Sequence, residues 1–134
     1  MVYAGLVGLI VGSYLNVVVH RLPHQQSTVL PRSRCPKCGA AIRARDNLPV
    51  LSWLLLRGRC RDCHAPISIR YPAIELLTAA LFLACWLLFP TGKAVAGMVL
   101  CSILVCATFI DLDHMIIPDV FTLGGAVTGV LLSM

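Results

Sequence analysis

The chain has 134 residues, 58% of them hydrophobic and only 13% charged, with a formal net charge of +5. Soluble globular domains average about 45–50% apolar and about 25% charged residues, so this composition excludes that class and points to one small membrane-embedded domain. Ten of the eleven Lys and Arg lie between His20 and Pro72, opposed only by Asp46 and Asp62, which gives that segment a net charge of +8. In a soluble protein such a patch reads as a phosphate-binding footprint; beside apolar segments, the tendency of Lys and Arg to collect in cytoplasmic loops explains it better.

Four apolar stretches follow in chain order. The first, roughly Val2 to Val19, contains Gly5, Gly8 and Gly12. At helical spacing these form a small-residue stripe suited to close helix packing in lipid. A secretory signal peptide is the competing reading, but no charged segment precedes the stretch, and Ser13 and Asn16 stand where a clear cleavage site would be needed. The second runs from about Ala73 to Phe89, with Pro72 near its start and Pro90, Thr91 and Gly92 punctuating its end. The third, Ala94 to Ile110, would be about 26 Å long as a helix, barely a span. The fourth begins near Val120, is still apolar at Met134, and reads as cut short at that length. The expected fold is an all-α polytopic membrane protein with about three full transmembrane helices plus a partial fourth. Its segments are a first transmembrane helix over 1–19, a loop over 20–72 and a further membrane region over 73–134. The distribution of Lys and Arg puts the 20–72 loop in the cytoplasm and the amino terminus and the Phe89–Lys93 turn outside. The third helix then returns Ile110 and Asp111 to the cytoplasmic face.

The loop carries the strongest local motif. Cys35-Pro-Lys-Cys38 is followed by twenty-one residues and then Cys60-Arg-Asp-Cys63. Two CxxC pairs at about this separation form a zinc pattern, slightly longer than the usual 15–20 residues between pairs. Each pair turns two thiolates toward one point, and the two together complete a closed tetrahedral shell, which argues for a structural ion. Gly39 and Gly58 flank the knuckles, where tight turns gain from a missing side chain. Two disulfides are the competing reading, disfavoured in a reducing compartment. His64 is adjacent and reads as a bystander. Cys85, Cys101 and Cys106 lie in apolar helices and read as small buried hydrophobes. Between the knuckles, the short run around Trp53 suits either an interfacial segment on the headgroups or a core for the zinc module.

The acidic cluster is Phe109-Ile-Asp111-Leu-Asp113-His114-Met-Ile-Ile-Pro118-Asp119. A carboxylate where an apolar helix reaches the interface is a functional candidate by default. Partial desolvation suits it to acid–base work, and an aspartic protease needs two such groups flanking one water. The competing reading is a helix-end carboxylate facing water, which describes Asp113 well and Asp119 less well.

At this point the sequence resembles the bacterial type IV prepilin leader peptidase/N-methyltransferase family. The resemblance rests on Gly12-Ser-Tyr-Leu-Asn-Val-Val18 with Arg21-Leu-Pro23, on Cys35-Pro-Lys-Cys38, and on Asp46-Asn-Leu-Pro-Val-Leu-Ser-Trp53. It continues through Leu56-Arg-Gly-Arg-Cys-Arg-Asp-Cys63, Ile69-Arg-Tyr-Pro72 with Glu75-Leu-Leu77, and Asp111 through Ile117-Pro-Asp119. These run in family order over nearly the whole chain. The resemblance implies a membrane aspartic peptidase of the bacterial inner membrane, amino terminus periplasmic. Such an enzyme removes short basic leaders from prepilins and pseudopilins of pilus and type II secretion systems at the cytoplasmic face. Many members also methylate the new amino terminus with S-adenosylmethionine, for which no binding residue is assigned here. The first catalytic aspartate maps onto Asp111, and the structural zinc ligands are Cys35, Cys38, Cys60 and Cys63. The implied partners are prepilin or pseudopilin substrates and membrane lipid, without nucleic acid. The family's second aspartate lies in a later Gly-x-Gly-Asp motif, whereas no acidic residue follows Asp119 here, and the loop from Pro23 to Pro31 is short. Residues 1–134 alone are therefore expected to be inactive as a peptidase, as a fragment or a truncated gene product. The alternatives are a catalytically incomplete membrane-anchored adaptor of pilus or secretion assembly and a membrane-tethered nucleic-acid-binding zinc ribbon. Steep salt dependence of binding would identify the last.

Overall fold

A computed structural model of the chain describes residues 1–29, 32–35, 37–115 and 118–134. Leu30, Pro31, Pro36, Ile116 and Ile117 lie outside the described residues, and with them the end of the 23–31 loop, one residue of the first CxxC pair and two residues of the acidic motif. The described chain is helical: α1 Val2–Arg21, α2 Leu51–Leu55, α3 Arg70–Leu88, α4 Thr91–His114 and α5 Asp119–Ser133. Two single-turn 3₁₀ segments, Leu22–His24 and Ala44–Asn47, lie within the loop. Three segments, Val2–His24, Arg70–Leu88 and Thr91–His114, are long and apolar enough to cross a membrane, and the apolar Asp119–Ser133 is shorter. This is the all-α polytopic arrangement read from the sequence, with the four-cysteine loop between the first and second spans.

The helix ends differ from the sequence reading in ways that bear on function. Helix α4 does not stop at Ile110; it continues through Asp111 and Asp113 to His114 and so runs to about 36 Å, a full span with a turn to spare. Apolar content marks where a helix is embedded, not where it ends: the polar last turn keeps its backbone ladder. Met115 then terminates the helix in the left-handed region at φ 53°, its N–H donating to the Asp111 carbonyl. Helix α3 starts at Arg70, before Ala73, because Pro72 sits in the first turn, where its missing N–H has no intrahelical partner to lose.

The bundle is tightest between α1 and α3. A Cβ on Gly8 would lie 2.6 Å from the Ala79 Cα, and one on Gly12 2.7 Å from the Glu75 Cα. These are backbone atoms that cannot move aside, so the two glycines set the helix separation. Gly5, the third member of the predicted stripe, has nothing within 4 Å of its would-be Cβ and belongs to an open part of α1. Gly12→Ala is therefore expected to destabilise the bundle by at least about 2 kcal/mol, as overpacking does, while Gly5→Ala is neutral or slightly stabilising. Detergent-titrated unfolding followed by circular dichroism reads both, and equal effects would remove the packing role.

The core cluster comprises Leu15 and Val19 of α1, Ile74 of α3, and Val105, Cys106 and Ile110 of α4, with Phe109 and Phe121 packed against it. All lie toward the end of the bundle that carries the loop. The edge-to-face rings of His20, His24 and His114, at centroid separations of 6.1 and 5.6 Å, bring the end of α1 and the end of α4 to that same face.

Candidate metal centre and the aspartate face

The two cysteine pairs are copies of one local structure. Residues 34–42 read Arg-Cys-Pro-Lys-Cys-Gly-Ala-Ala-Ile and residues 59–67 read Arg-Cys-Arg-Asp-Cys-His-Ala-Pro-Ile. Cys35 donates its N–H to the Ala40 carbonyl and Gly39 donates to Cys35; at the second site Cys60 donates to Ala65 and His64 donates to Cys60. Isolated antiparallel bridges, Arg34 with Ala41 and Arg59 with Pro66, close the two turns. This repeat is legible in the sequence as self-similarity at a spacing of 25 residues, a signal that the CxxC count alone does not use.

The four sulfurs converge across the repeat. Cys35 Sγ lies 3.6 Å from Cys63 Sγ and Cys38 Sγ 3.9 Å from Cys60 Sγ, and all four lie within 4.8 Å of one another. A zinc–sulfur bond of about 2.3 Å in tetrahedral geometry requires sulfurs about 3.8 Å apart, so the cage fits the ion. The same separations are far beyond a disulfide bond of about 2.0 Å, and all four cysteines are free. The backbone amides of Cys38 and Lys37 favour the Cys35 thiolate and bring its pKa down to about 6. At Cys38 the Ala40 amide acts in the same sense, but desolvation and the sulfurs of Cys35, Cys63 and Cys60 outweigh it and push the thiol up to about 12. Cys63 is likewise raised. Without a cation the cage tolerates little negative charge; a bound divalent ion supplies the counter-charge and displaces the remaining protons.

His64 occupies the position that Gly39 holds in the first knuckle, with φ 56° against 71°. A left-handed residue with a Cβ costs about 1–2 kcal/mol, partly offset because glycine loses more entropy on folding. His64→Gly is expected to leave zinc content unchanged and to stabilise the module by about 0.5–1 kcal/mol, read by the chelator concentration needed to release the ion. Loss of zinc in that variant would make the imidazole a ligand.

The segment between the knuckles divides into two roles. Trp53 donates its indole N–H to the Ile67 carbonyl at 3.2 Å, and its ring covers Gly58, where a Cβ would meet it at 2.9 Å. Trp53 is therefore an internal part of the module. Asp46 takes a bidentate pair from Arg61, at 2.9 and 2.7 Å, tying the 3₁₀ turn to the second knuckle. The Arg61 guanidinium holds the Asp46 carboxyl below the usual carboxylate range.

One polar contact seats the module on the bundle, and a second joins α1 to α3. Val50 donates its N–H to Glu75 Oε2 at 2.6 Å, and Glu75 is 7% exposed. Asn16, equally buried, donates to the carbonyls of Tyr71 and Gly12, at 3.0 and 3.3 Å. On the same face Arg70 donates to Asp113 Oδ1 at 2.6 Å and to the Phe109 carbonyl at 3.1 Å, with its guanidinium 4.8 Å above the Phe109 ring. Asp113, read from sequence as facing water, is thus the half-exposed partner of an arginine. Arg70 and Glu75 were visible in the sequence only as members of a family motif; nothing in local spacing gave them partners about 25–45 residues away. Asp111 is exposed in the last turn of α4, with no hydrogen bond or ion pair to its carboxylate among the described residues. Asp119 opens α5, exposed in its first turn. The structure thus gathers the four cysteines into one centre and puts Asp111 at the same end of the bundle as that centre.

Comparison with known proteins finds matches over most of the chain. The family model of the bacterial peptidase A24 N-terminal domain matches residues 6–89. The chain is 52% identical over 98% of its length to the prepilin leader peptidase/N-methyltransferase of Myxococcus xanthus, covering 40% of that protein. It is 50% identical over 97% of its length to the type 4 prepilin-like proteins leader peptide-processing enzyme of Escherichia coli, covering 55% of it. It is also 45% identical over 88% of its length to the prepilin leader peptidase/N-methyltransferase of Aeromonas hydrophila, covering 49% of it. The chain therefore spans about half the length of these curated relatives. No solved structure matches it.

Proposed function

The chain belongs to the bacterial peptidase A24 family, and on that premise we propose that it forms the amino-terminal membrane and zinc-module part of a prepilin leader peptidase, with Asp111 as one of two catalytic carboxylates. The observation that carries this reading is the placement of Asp111. It is an exposed carboxylate, unpaired among the described residues, in the last turn of a membrane-spanning helix, on the face that also bears the cysteine module. A prepilin presents a basic leader in the cytoplasm and an apolar helix in the bilayer, so its cut site lies at that depth. Hydrolysis needs one ionised carboxylate to take a proton from water and one protonated carboxylate to give a proton to the leaving amine. Asp111 supplies one of them. No acidic residue follows Asp119 in this sequence, so the family's second aspartate has to come from residues outside 1–134.

The cysteine cage holds a structural zinc ion, whose part is to fix the loop rather than to activate water, since four thiolates leave no open position. The relatives' name also supports methylation of the new amino terminus from S-adenosylmethionine by the complete protein. The protein sits in the inner membrane with its amino terminus periplasmic and the module cytoplasmic, an orientation supported by ten of eleven cationic side chains lying in one loop. A reporter fused within His24–Thr28 is expected to read cytoplasmic and one near Thr91 periplasmic. The reverse pattern would separate Asp111 from a cytoplasmic substrate and end this reading.

A further inference from the structure

We propose that α2 is a membrane-surface anchor: Leu51, Leu54 and Leu55 enter the cytoplasmic leaflet, and Arg43, Arg45 and Arg57 hold the segment to anionic headgroups. This rests on the membrane fold and not on the catalytic reading.

Three observations carry it. First, the leucines are spaced i, i+3 and i+4 and share one helix face, and they are 59%, 59% and 79% exposed, although Trp53 of the same short helix is turned inward against Gly58 and Ile67. The module therefore already has its internal aromatic, and most of the leucine surface is left uncovered by the described chain. Second, α2 is tied to the loop-side end of a membrane-spanning helix. Its N-cap residue Val50 donates to Glu75, one and a half turns inside the membrane-spanning α3. Five residues at 1.5 Å each place that contact about 7 Å along α3 from its Arg70 end, at the loop-bearing end of a membrane-spanning helix, where a segment lying on the bilayer buries its apolar face. Val50 is β-branched and held at φ 59°, a conformation rare for such a residue. The turn that presents α2 is thus held in one orientation by the buried carboxylate. Third, the charges beside the leucines are complementary to an anionic surface. Arg57 follows the C-cap of α2, Arg43 caps and Arg45 lies within the 3₁₀ turn packed against it, and all three are exposed, their side chains making no hydrogen bond or ion pair among the described residues. Apolar residues on one face with basic residues around them are the pattern of an interfacial helix on anionic lipid.

The test uses the whole chain in nanodiscs of phosphatidylcholine with about a quarter phosphatidylglycerol. A photo-crosslinking amino acid, p-benzoylphenylalanine, replaces Leu51 or Leu55 in turn. It replaces Leu87, exposed on α3, as the lipid-facing control and Asp62, exposed on the second knuckle, as the aqueous control. The expected result is a lipid adduct by mass at 51, 55 and 87 and none at 62, in samples that retain zinc. In Arg43→Gln/Arg57→Gln chains the adduct at 55 falls, by up to about fivefold for each charge removed, while that at 87 does not change. Crosslinking of 55 to a second copy or another protein overturns the proposal, as does the absence of any adduct at 55 beside a normal one at 87. An adduct at 55 that is indifferent to both the arginines and phosphatidylglycerol overturns its electrostatic half.

Discussion

Cys60→Ser is expected to lower zinc from about one ion per chain to near none, and to turn the segment between the first two spans from protease-resistant to protease-sensitive while the helical bundle persists. The magnitude follows from how little else holds the module. Among the described residues between 32 and 69 the only buried apolar residue is Cys35, itself a proposed ligand. The rest is Trp53 over Gly58, one bidentate Asp46–Arg61 pair and short turns. A unit of this size without a core depends on its metal, and structural zinc contributes about 10–16 kcal/mol in such small modules at neutral pH. Of the three groups left, Cys38 and Cys63 have poor reason to ionise, since both are already raised. Zinc by atomic emission, limited proteolysis and helical circular dichroism are the three readouts. Full zinc occupancy in Cys60→Ser, or a loop that stays resistant after chelation, would show that the sulfurs do not form one four-ligand site.

The contrast between what the sequence revealed and what it hid has a physical basis. The spans were legible because the bilayer imposes a long apolar run on any helix that crosses it, and the metal centre because two CxxC pairs need only local turns to aim their thiolates. Helix ends were not. Ile110 is the last apolar residue before Asp111, yet the backbone ladder runs on to His114, since a carboxylate at the interface breaks no hydrogen bond. The ambiguity at Trp53 was real in sequence: an aromatic among leucines fits a headgroup anchor or a core equally well. It is resolved by Gly58, whose missing side chain makes room for the indole. Contacts between distant segments stayed hidden for the same reason in each case. Val50 to Glu75, Asn16 to Tyr71 and Arg70 to Asp113 join groups whose pairing depends on how three helices and the loop pack, and no local spacing encodes that.

Joined to the remainder of a family peptidase, the chain is expected to remove the leader from a prepilin in membranes, and Asp111→Asn to abolish that cleavage. The reduction expected is roughly four orders of magnitude, the scale on which loss of one member of a catalytic unit acts. An amide has the shape of the carboxylate but neither accepts a proton from water nor donates one to the leaving amine. Asp113 is the matched control. It lies two positions on, about 200° around the helix, and its carboxylate is taken by Arg70 at 2.6 Å. That pair is about one-third exposed on both sides, at 34% and 37%, where ion pairs are worth about 0–1 kcal/mol. Arg70 would also keep its bond to the Phe109 carbonyl and its place over the Phe109 ring. Asp113→Asn should therefore slow cleavage by no more than about fivefold. Residues 1–134 alone should cleave nothing, because one carboxylate cannot be acid and base at once. A gel-shift assay of leader removal compares the short chain, the extended chain and the two extended variants. Cleavage by the short chain would point to a dyad built within it, from Asp111 and Asp119. Cleavage by the extended Asp111→Asn variant would take Asp111 out of the mechanism, and equal loss in Asp111→Asn and Asp113→Asn would mean that the end of α4 acts as a scaffold and not as an acid.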